Sequence, residues 1–281
     1  MRASHLRTLL RPLYHRAFRS QLHVRLWLAD HLSGRALPQP GPPLPPALLR
    51  YRVSESLSAE MFLRVGNGCA RHIDGQIRMM GTSFADVERV LDFGCGCGRT
   101  LRWLMESYPA THFYGADVYA DAIDWCARNL PDGAFVNSKP EPPLPFESSY
   151  FDVVYCFSVF THLDERMQDM WLIEIKRILK PGGIVILTVH GDRAACTLDE
   201  EAAGILKGTG FVHQRSRKLA GIVPDWYNTS WHSQTYIVAR LDALFSDVRY
   251  TVVPDGMQDL VTARNLQDRS KPATFNNFPN A

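Results

Sequence analysis

"LDFGCGCGRTLRWL", residues 91–104, closes an apolar run with an acid and then sets Gly94, Gly96 and Gly98 at every second position. Glycine permits positive φ and omits the Cβ that would hold a ligand away from the backbone. In an open parallel sheet, ligands bind outside the carboxyl ends of the strands, beside the turn that follows the first strand. The loop therefore reads as a nucleoside cradle if the flanking chain builds such a sheet.

The flanking chain has that pattern. Short apolar runs at 89–93, 112–116, 134–137, 152–156 and 184–189 alternate with helical spacings near 100–107, 120–129 and 166–179. Strands buried on both faces and separated by helices imply parallel pairing through right-handed crossovers. A further helix is expected within 57–80. "DVRYTVV" (247–253) and "QDLVTAR" (258–264) flank a "PDGM" turn and read as an antiparallel hairpin. The expected fold is α/β, a Rossmann-like and mostly parallel seven-stranded sheet ending in that hairpin.

Asp117 follows Gly98 by 19 residues and stands after the second strand, where an acid accepts from ribose hydroxyls. A dinucleotide loop wants G-x-G-x-x-G, and counting from Gly94 puts Arg99 at the third glycine position. The pattern D-x-G-x-G-x-G instead resembles the cofactor loop of class I S-adenosylmethionine-dependent methyltransferases. "GADVYADAIDWC" (115–126), "PLPFESSYFDVVYCFSVFTHL" (143–163) and "IKRILKPGGIVILTV" (175–189) resemble later motifs of that family in the family's order.

That resemblance implies S-adenosylmethionine as cofactor and assigns roles. Gly94, Gly96 and Gly98 would let the backbone approach the methionine and ribose portions, and Asp92 would close the strand and organise the loop or touch the ligand. Asp117 would bind the ribose diol, Val118 would pack on adenine, Asn137 would lie near the adenine amino group, and Ser158 near the methionine end. Cys95 and Cys97 form a lone C-x-C with no second pair at matching spacing, so they read as small fillers, not as metal or redox groups. No metal is expected.

After the fourth strand the chain reads "CFSVF", without the Asn-Pro-Pro, Asp-Pro-Pro or Pro-Cys sequences of amide-, adenine- or cytosine-modifying relatives. This points to a small-molecule methyl acceptor, with O-, N- and C-methylation all open. About residues 191–235 run longer than a strand-to-helix loop needs and read as a substrate cap. Within it Trp226, Tyr227 and Trp231 are candidate acceptor contacts. His232, and His162 just past the fourth strand, are candidate general bases. A nicotinamide-dependent reductase and a non-catalytic S-adenosylmethionine-binding module are the alternatives.

A chain of 281 residues with 46% apolar content can bury a full core, and a net charge of +2 supplies no field for holding phosphate backbones. No nucleic-acid partner is expected. No stretch is long and apolar enough to span a bilayer. Six cysteines, several in apolar runs, suggest a reducing, cytoplasmic setting. Residues 1–29 hold six arginines, three histidines and no acid. They fit a basic cap, a peripheral membrane contact or a mitochondrial transit segment. The proline-rich run "LPQPGPPLPPALL" (37–49) reads as a stiff extended linker. The expected organisation is an extension and linker over 1–55, a methyltransferase domain over 56–266 and a tail over 267–281. Oligomeric state is open.

Overall fold

A computed structural model describes residues 21–22, 24–30, 41–215, 228–254, 256 and 258–265. The strands are β1 (Arg89–Phe93), β2 (His112–Asp117), β3 (Gly133–Asn137), β4 (Phe151–Cys156), β5 (Leu179–Val189), β8 (Ser246–Thr251) and β9 (Asp259–Arg264), in the order β3-β2-β1-β4-β5-β9-β8. Pairing is parallel from β3 to β5, whereas β9 runs antiparallel to both β5 and β8. The order reverses between β1 and β4, which puts the glycine loop at the switch point.

Helices fill both faces because the central strands bury both. Leu91, Phe93, Val154, Cys156, Val185 and Leu187 pack with Trp171, Leu172 and Ile175 of α5 (Glu165–Ile178) and with Ile237 and Leu241 of α7 (Gln234–Asp242). The alternate residues Val90, Val153, Tyr155, Ile184 and Ile186 pack with Ile73 and Ile77 of α2 (Ala59–Met79) and Leu101 and Leu104 of α3 (Leu101–Ser107). This two-residue alternation along each strand divides the core into two layers. At Gly66 of α2 a Cβ would meet the Arg99 carbonyl oxygen at 2.2 Å, so glycine there allows the helix to sit against the loop after β1. Ser58 caps α2 by accepting from the Met61 N–H at 3.1 Å, and Asp164 caps α5 by accepting from Met167 at 2.8 Å.

The expected boundary at residue 55 is displaced. Ala47–Ser54 form a helix, α1, whose Leu49 packs with Phe62 and Leu63 of α2, Cys97 of the loop, and Ala122, Trp125 and Cys126 of α4 (Ala120–Asn129). The expected linker thus ends at Pro46, and Ala47–Leu49 are helical. Proline immediately before a helix has no N–H to lose and holds φ near its fixed value, so the proline run leads into α1 without opposing it. Asp30 Oδ1 accepts the Ala47 N–H at 2.6 Å, and Leu22 and Leu26 cover Ala47. The expected tail over 267–281 and residues 1–20 lie outside the described residues.

Between β5 and α7 the cap contains α6 (Glu200–Thr209) and a two-stranded antiparallel hairpin, β6 (Phe211–Gln214) and β7 (Thr229–His232). The hairpin is held to the loop after β4, where the Ser230 N–H donates to the Thr161 carbonyl at 2.8 Å. Among the described residues no helix is long and apolar enough to cross a membrane.

Candidate active site

Gly94, Gly96 and Gly98 have φ of 81°, 53° and 72°. Three left-handed residues at alternate positions fold the loop so that its N–H groups turn toward β2. The N–H groups of Gly94 and Cys95 donate to the Ala116 carbonyl, and Gly96 donates to Asp117 Oδ2 at 2.8 Å. Asp117 Oδ1 accepts the Tyr119 N–H at 2.9 Å. Asp117, not Asp92, therefore organises the loop. A Cβ at Gly96 would meet Val53 of α1 at 2.5 Å, so close approach of α1 is a second constraint on this residue.

Above the loop lies a cavity of about 420 Å³. Asp92, Gly94, Gly96, Asp117, Val118 and Ser158 line it, whereas Gly98 does not: a Cβ there would meet Leu130 at 2.5 Å, so this glycine serves packing of the loop. Burial pushes the Asp92 carboxyl up to about 8; nearby Asp117 adds to the shift, while Tyr155 and Arg99 oppose it. The Tyr155 hydroxyl lies close enough to favour the carboxylate but completes no hydrogen bond among the described residues. Burial also raises Asp117, against the pull of the Tyr119 and Gly96 N–H groups. The N–H groups of Tyr119, Gly96 and Val118 all favour the Asp117 carboxylate, which keeps lone-pair capacity for a ligand. Ser158 has φ of 58°; its N–H donates to Thr188 Oγ1 and its hydroxyl pairs with the Gln258 side-chain amide.

Asn137 is displaced from its expected role. It is exposed, and its Nδ2 donates to the Asp117 carbonyl at 2.9 Å, which turns the amide away from the cavity. The next residue, Ser138, is buried and lines the cavity, and its Oγ has no partner. The buried hydroxyl of Tyr119 and Nε of Arg52 are cavity groups in the same condition. Buried polar atoms without partners are costly and call for a polar ligand. Arg52 comes from α1, bonds Asp121 at 2.7 Å and lies 4.9 Å from the Tyr119 ring centroid. Reading 1–55 as extension and linker hid this wall, while Ser138 was missed by one position on a strand end.

Cys95 and Cys97 are buried fillers whose thiols burial helps push up, so neither supplies a thiolate. Among the described residues no cluster of histidine, cysteine and acid side chains could hold a metal.

His162 lines the other end of the cavity and its Nδ1 bonds the Asn228 carbonyl at 2.7 Å. Burial pushes it down to about 4, with a smaller push from His190 and His213. His232 does not serve as a base. It is fully buried outside the cavity lining, its Nε2 bonds Gln168 Oε1 at 3.0 Å, and burial pushes it down to about 3. Trp231 is also displaced from the site: its indole donates to the Ala194 carbonyl at 3.3 Å and its ring packs on His190, bracing the cap. Trp226 and Tyr227 lie outside the described residues. His213 and Asn228 of the hairpin reach the cavity and were not singled out from the sequence.

The strand order with β9 reversed, the left-handed glycine loop and the acid after β2 define a class I S-adenosylmethionine-dependent methyltransferase domain. Residues 90–183 match the family described as "Methyltransferase domain". The fatty-acid O-methyltransferase of Mycolicibacterium smegmatis is 36% identical over 108 residues, covering 37% of this chain and 38% of that protein. The malonyl-[acyl-carrier protein] O-methyltransferase of Halalkalibacterium halodurans is 23% identical over 164 residues, covering 57% of this chain and 56% of that protein. A crystal structure of a putative O-methyltransferase from Nostoc punctiforme shares the fold with a TM-score of 0.53 at 15% identity, over 85% of this chain and 67% of that one. The match thus spans 38% and 56% of the length of these two curated relatives. The family match favours S-adenosylmethionine over a nicotinamide.

Proposed function

We propose that the protein transfers a methyl group from S-adenosylmethionine to a small-molecule acceptor. The cavity itself supports this most strongly. It lies at the carboxyl edge of β1, β2 and β4, and the unpartnered hydroxyls of Ser138 and Tyr119 meet the acids Asp92 and Asp117 in it. Such a donor set suits the hydroxyls and amine of a nucleoside. When bound, the cofactor supplies an electrophilic sulfonium methyl.

In this reading Asp117 accepts from the ribose diol, Val118 packs on the base, and Ser138 takes the polar contact expected of Asn137. Asp92 and Ser158 lie toward the methionine end, and a bound sulfonium would favour the carboxylate form of Asp92. A cavity of about 420 Å³, bordered on the cap side by His213 and Asn228, suits a small molecule. The acyl substrates named for the two curated relatives support the same class.

Titration calorimetry of the full chain against S-adenosylhomocysteine and against NAD tests the cofactor assignment, with binding expected for the first alone. Release of S-adenosylhomocysteine from S-adenosylmethionine with a panel of small acceptors then separates an enzyme from a binding module. Failure to bind S-adenosylhomocysteine would end this reading.

A further inference from the structure

Residues 21–22 and 24–30 are helical, and this helix is apolar on two opposite sides. At about 100° per residue, Leu22, Leu26 and Ala29 fall together on one side, where Leu22 and Leu26 cover Ala47 of α1 and Ala29 packs beside them. Val24, Trp27 and Leu28 fall together on the other, at the i, i+3, i+4 spacing of one helix face. They are 58%, 59% and 42% exposed, and Trp27 keeps that exposure although it also has an interaction within the chain. A surface helix ordinarily carries one apolar stripe with polar residues opposite, so a helix apolar on both sides has a second surface to cover.

The charge around this face says what covers it. Residues 1–29 carry Arg2, Arg7, Arg11, Arg16, Arg19 and Arg25, with three histidines and no acid. Arg25 falls between the two apolar sides and is exposed. The first acid in the chain, Asp30, is directed to α1, where it accepts the Ala47 N–H at 2.6 Å and stands 4.0 Å from Arg50. A nucleic-acid strand would use the arginines and leave the apolar face in water. A second copy of the chain would bring both sets of arginines together against their repulsion. An anionic bilayer uses both features, because its headgroups attract arginine and its interface takes up valine, leucine and tryptophan side chains.

We infer that the helix over residues 21–30 seats the protein on an anionic lipid surface, with Val24, Trp27 and Leu28 in the interface and the arginines of residues 1–29 drawn to the headgroups. The contact is peripheral: about ten residues of helix measure about 15 Å, against about 30 Å of hydrocarbon. The opposite side of the helix rests on α1, which supplies Leu49, Arg52 and Val53 to the cavity, so the seat ties the membrane to the domain. Nothing in this seat depends on the methyl-transfer reading.

Flotation of the full chain with lipid vesicles tests it. The protein should float with phosphatidylcholine vesicles containing about one-third phosphatidylglycerol. Binding should be at least about tenfold weaker with phosphatidylcholine alone, or in about 0.5 M salt. Val24→Ser with Leu28→Ser should weaken binding to the anionic vesicles by about tenfold or more, and because both side chains are exposed the melting temperature should not change. Arg7→Gln, Arg11→Gln, Arg16→Gln and Arg19→Gln together should weaken it by a similar factor and flatten the salt dependence. No flotation with anionic vesicles, equal binding to neutral ones, or binding untouched by the Val24→Ser, Leu28→Ser variant would overturn the seat. A dimer seen by light scattering without lipid and lost in that variant would assign the face to a second copy instead. A lowered melting temperature in the same variant would show that the face packs within the chain, and would overturn the seat as well.

Discussion

Replacing Asp92 with asparagine should stabilise the ligand-free protein, by an amount that grows with pH. Asp92 is 3% exposed, and burial is the main cause of the rise of its carboxyl from 3.8 to about 8. The unfolded chain releases this proton near pH 4, whereas the folded protein holds it until about pH 8. Between those values the native state binds one more proton than the unfolded state, so stability falls as pH rises, by about 1.4 kcal/mol per pH unit. From about pH 5 to about pH 7.5 this amounts to about 3 kcal/mol, which asparagine, nearly isosteric and uncharged, escapes.

The histidines work in the opposite sense. His162 and His232, lowered to about 4 and about 3, contribute stability that is present above their unfolded value of 6.5 and lost as pH falls toward those figures. They are common to both proteins and cancel in the difference. Urea unfolding of wild type and Asp92→Asn at several pH values checks this. The gap between the two should widen from pH 5 and level off above about pH 8. A gap independent of pH, or one that narrows, would refute the argument that Asp92 is a buried charge held for a cationic ligand.

Two other substitutions probe the walls of the cavity. Asp117→Ala removes the acceptor for the Gly96 and Tyr119 N–H groups as well as the expected ribose contact. S-adenosylhomocysteine affinity by calorimetry should therefore fall by about 1–3 kcal/mol, with a lowered melting temperature beside it, and unchanged affinity would remove Asp117 from the site. Asp30→Ala removes the cap on the Ala47 N–H and should cost about 1 kcal/mol in α1. Because Leu49, Arg52 and Val53 of α1 line the cavity, the variant should also bind S-adenosylhomocysteine more weakly, and equal binding would show that α1 is not a working wall.

The sheet was legible because its strands bury both faces, which leaves compact apolar runs such as "RVLDF" and "FDVVYC" punctuated by helices of clear period. The reversed β9 followed from the turn at 254–257, and the glycine loop from its spacing. The walls of the site were less legible, for particular reasons. Leu49, Arg52 and Val53 follow a proline run that looks like a linker, and only tertiary packing on α2 and α4 makes that segment part of the domain. Asn137 and Ser138 are adjacent at the end of β3, so a one-residue error exchanges the exposed side chain for the buried one. His232 and His213 stand on opposite strands of one short hairpin. Only the register, Phe211 opposite His232 and His213 opposite Ser230, shows which of them meets the cavity.

A crystal structure of the full chain with S-adenosylhomocysteine would test the central claim most directly. The ribose should lie on Asp117, the base against Val118 with Ser138 in hydrogen-bond contact, and the sulfur should open toward His162. A nucleoside bound elsewhere, or a cavity that stays empty at saturating ligand, would contradict it.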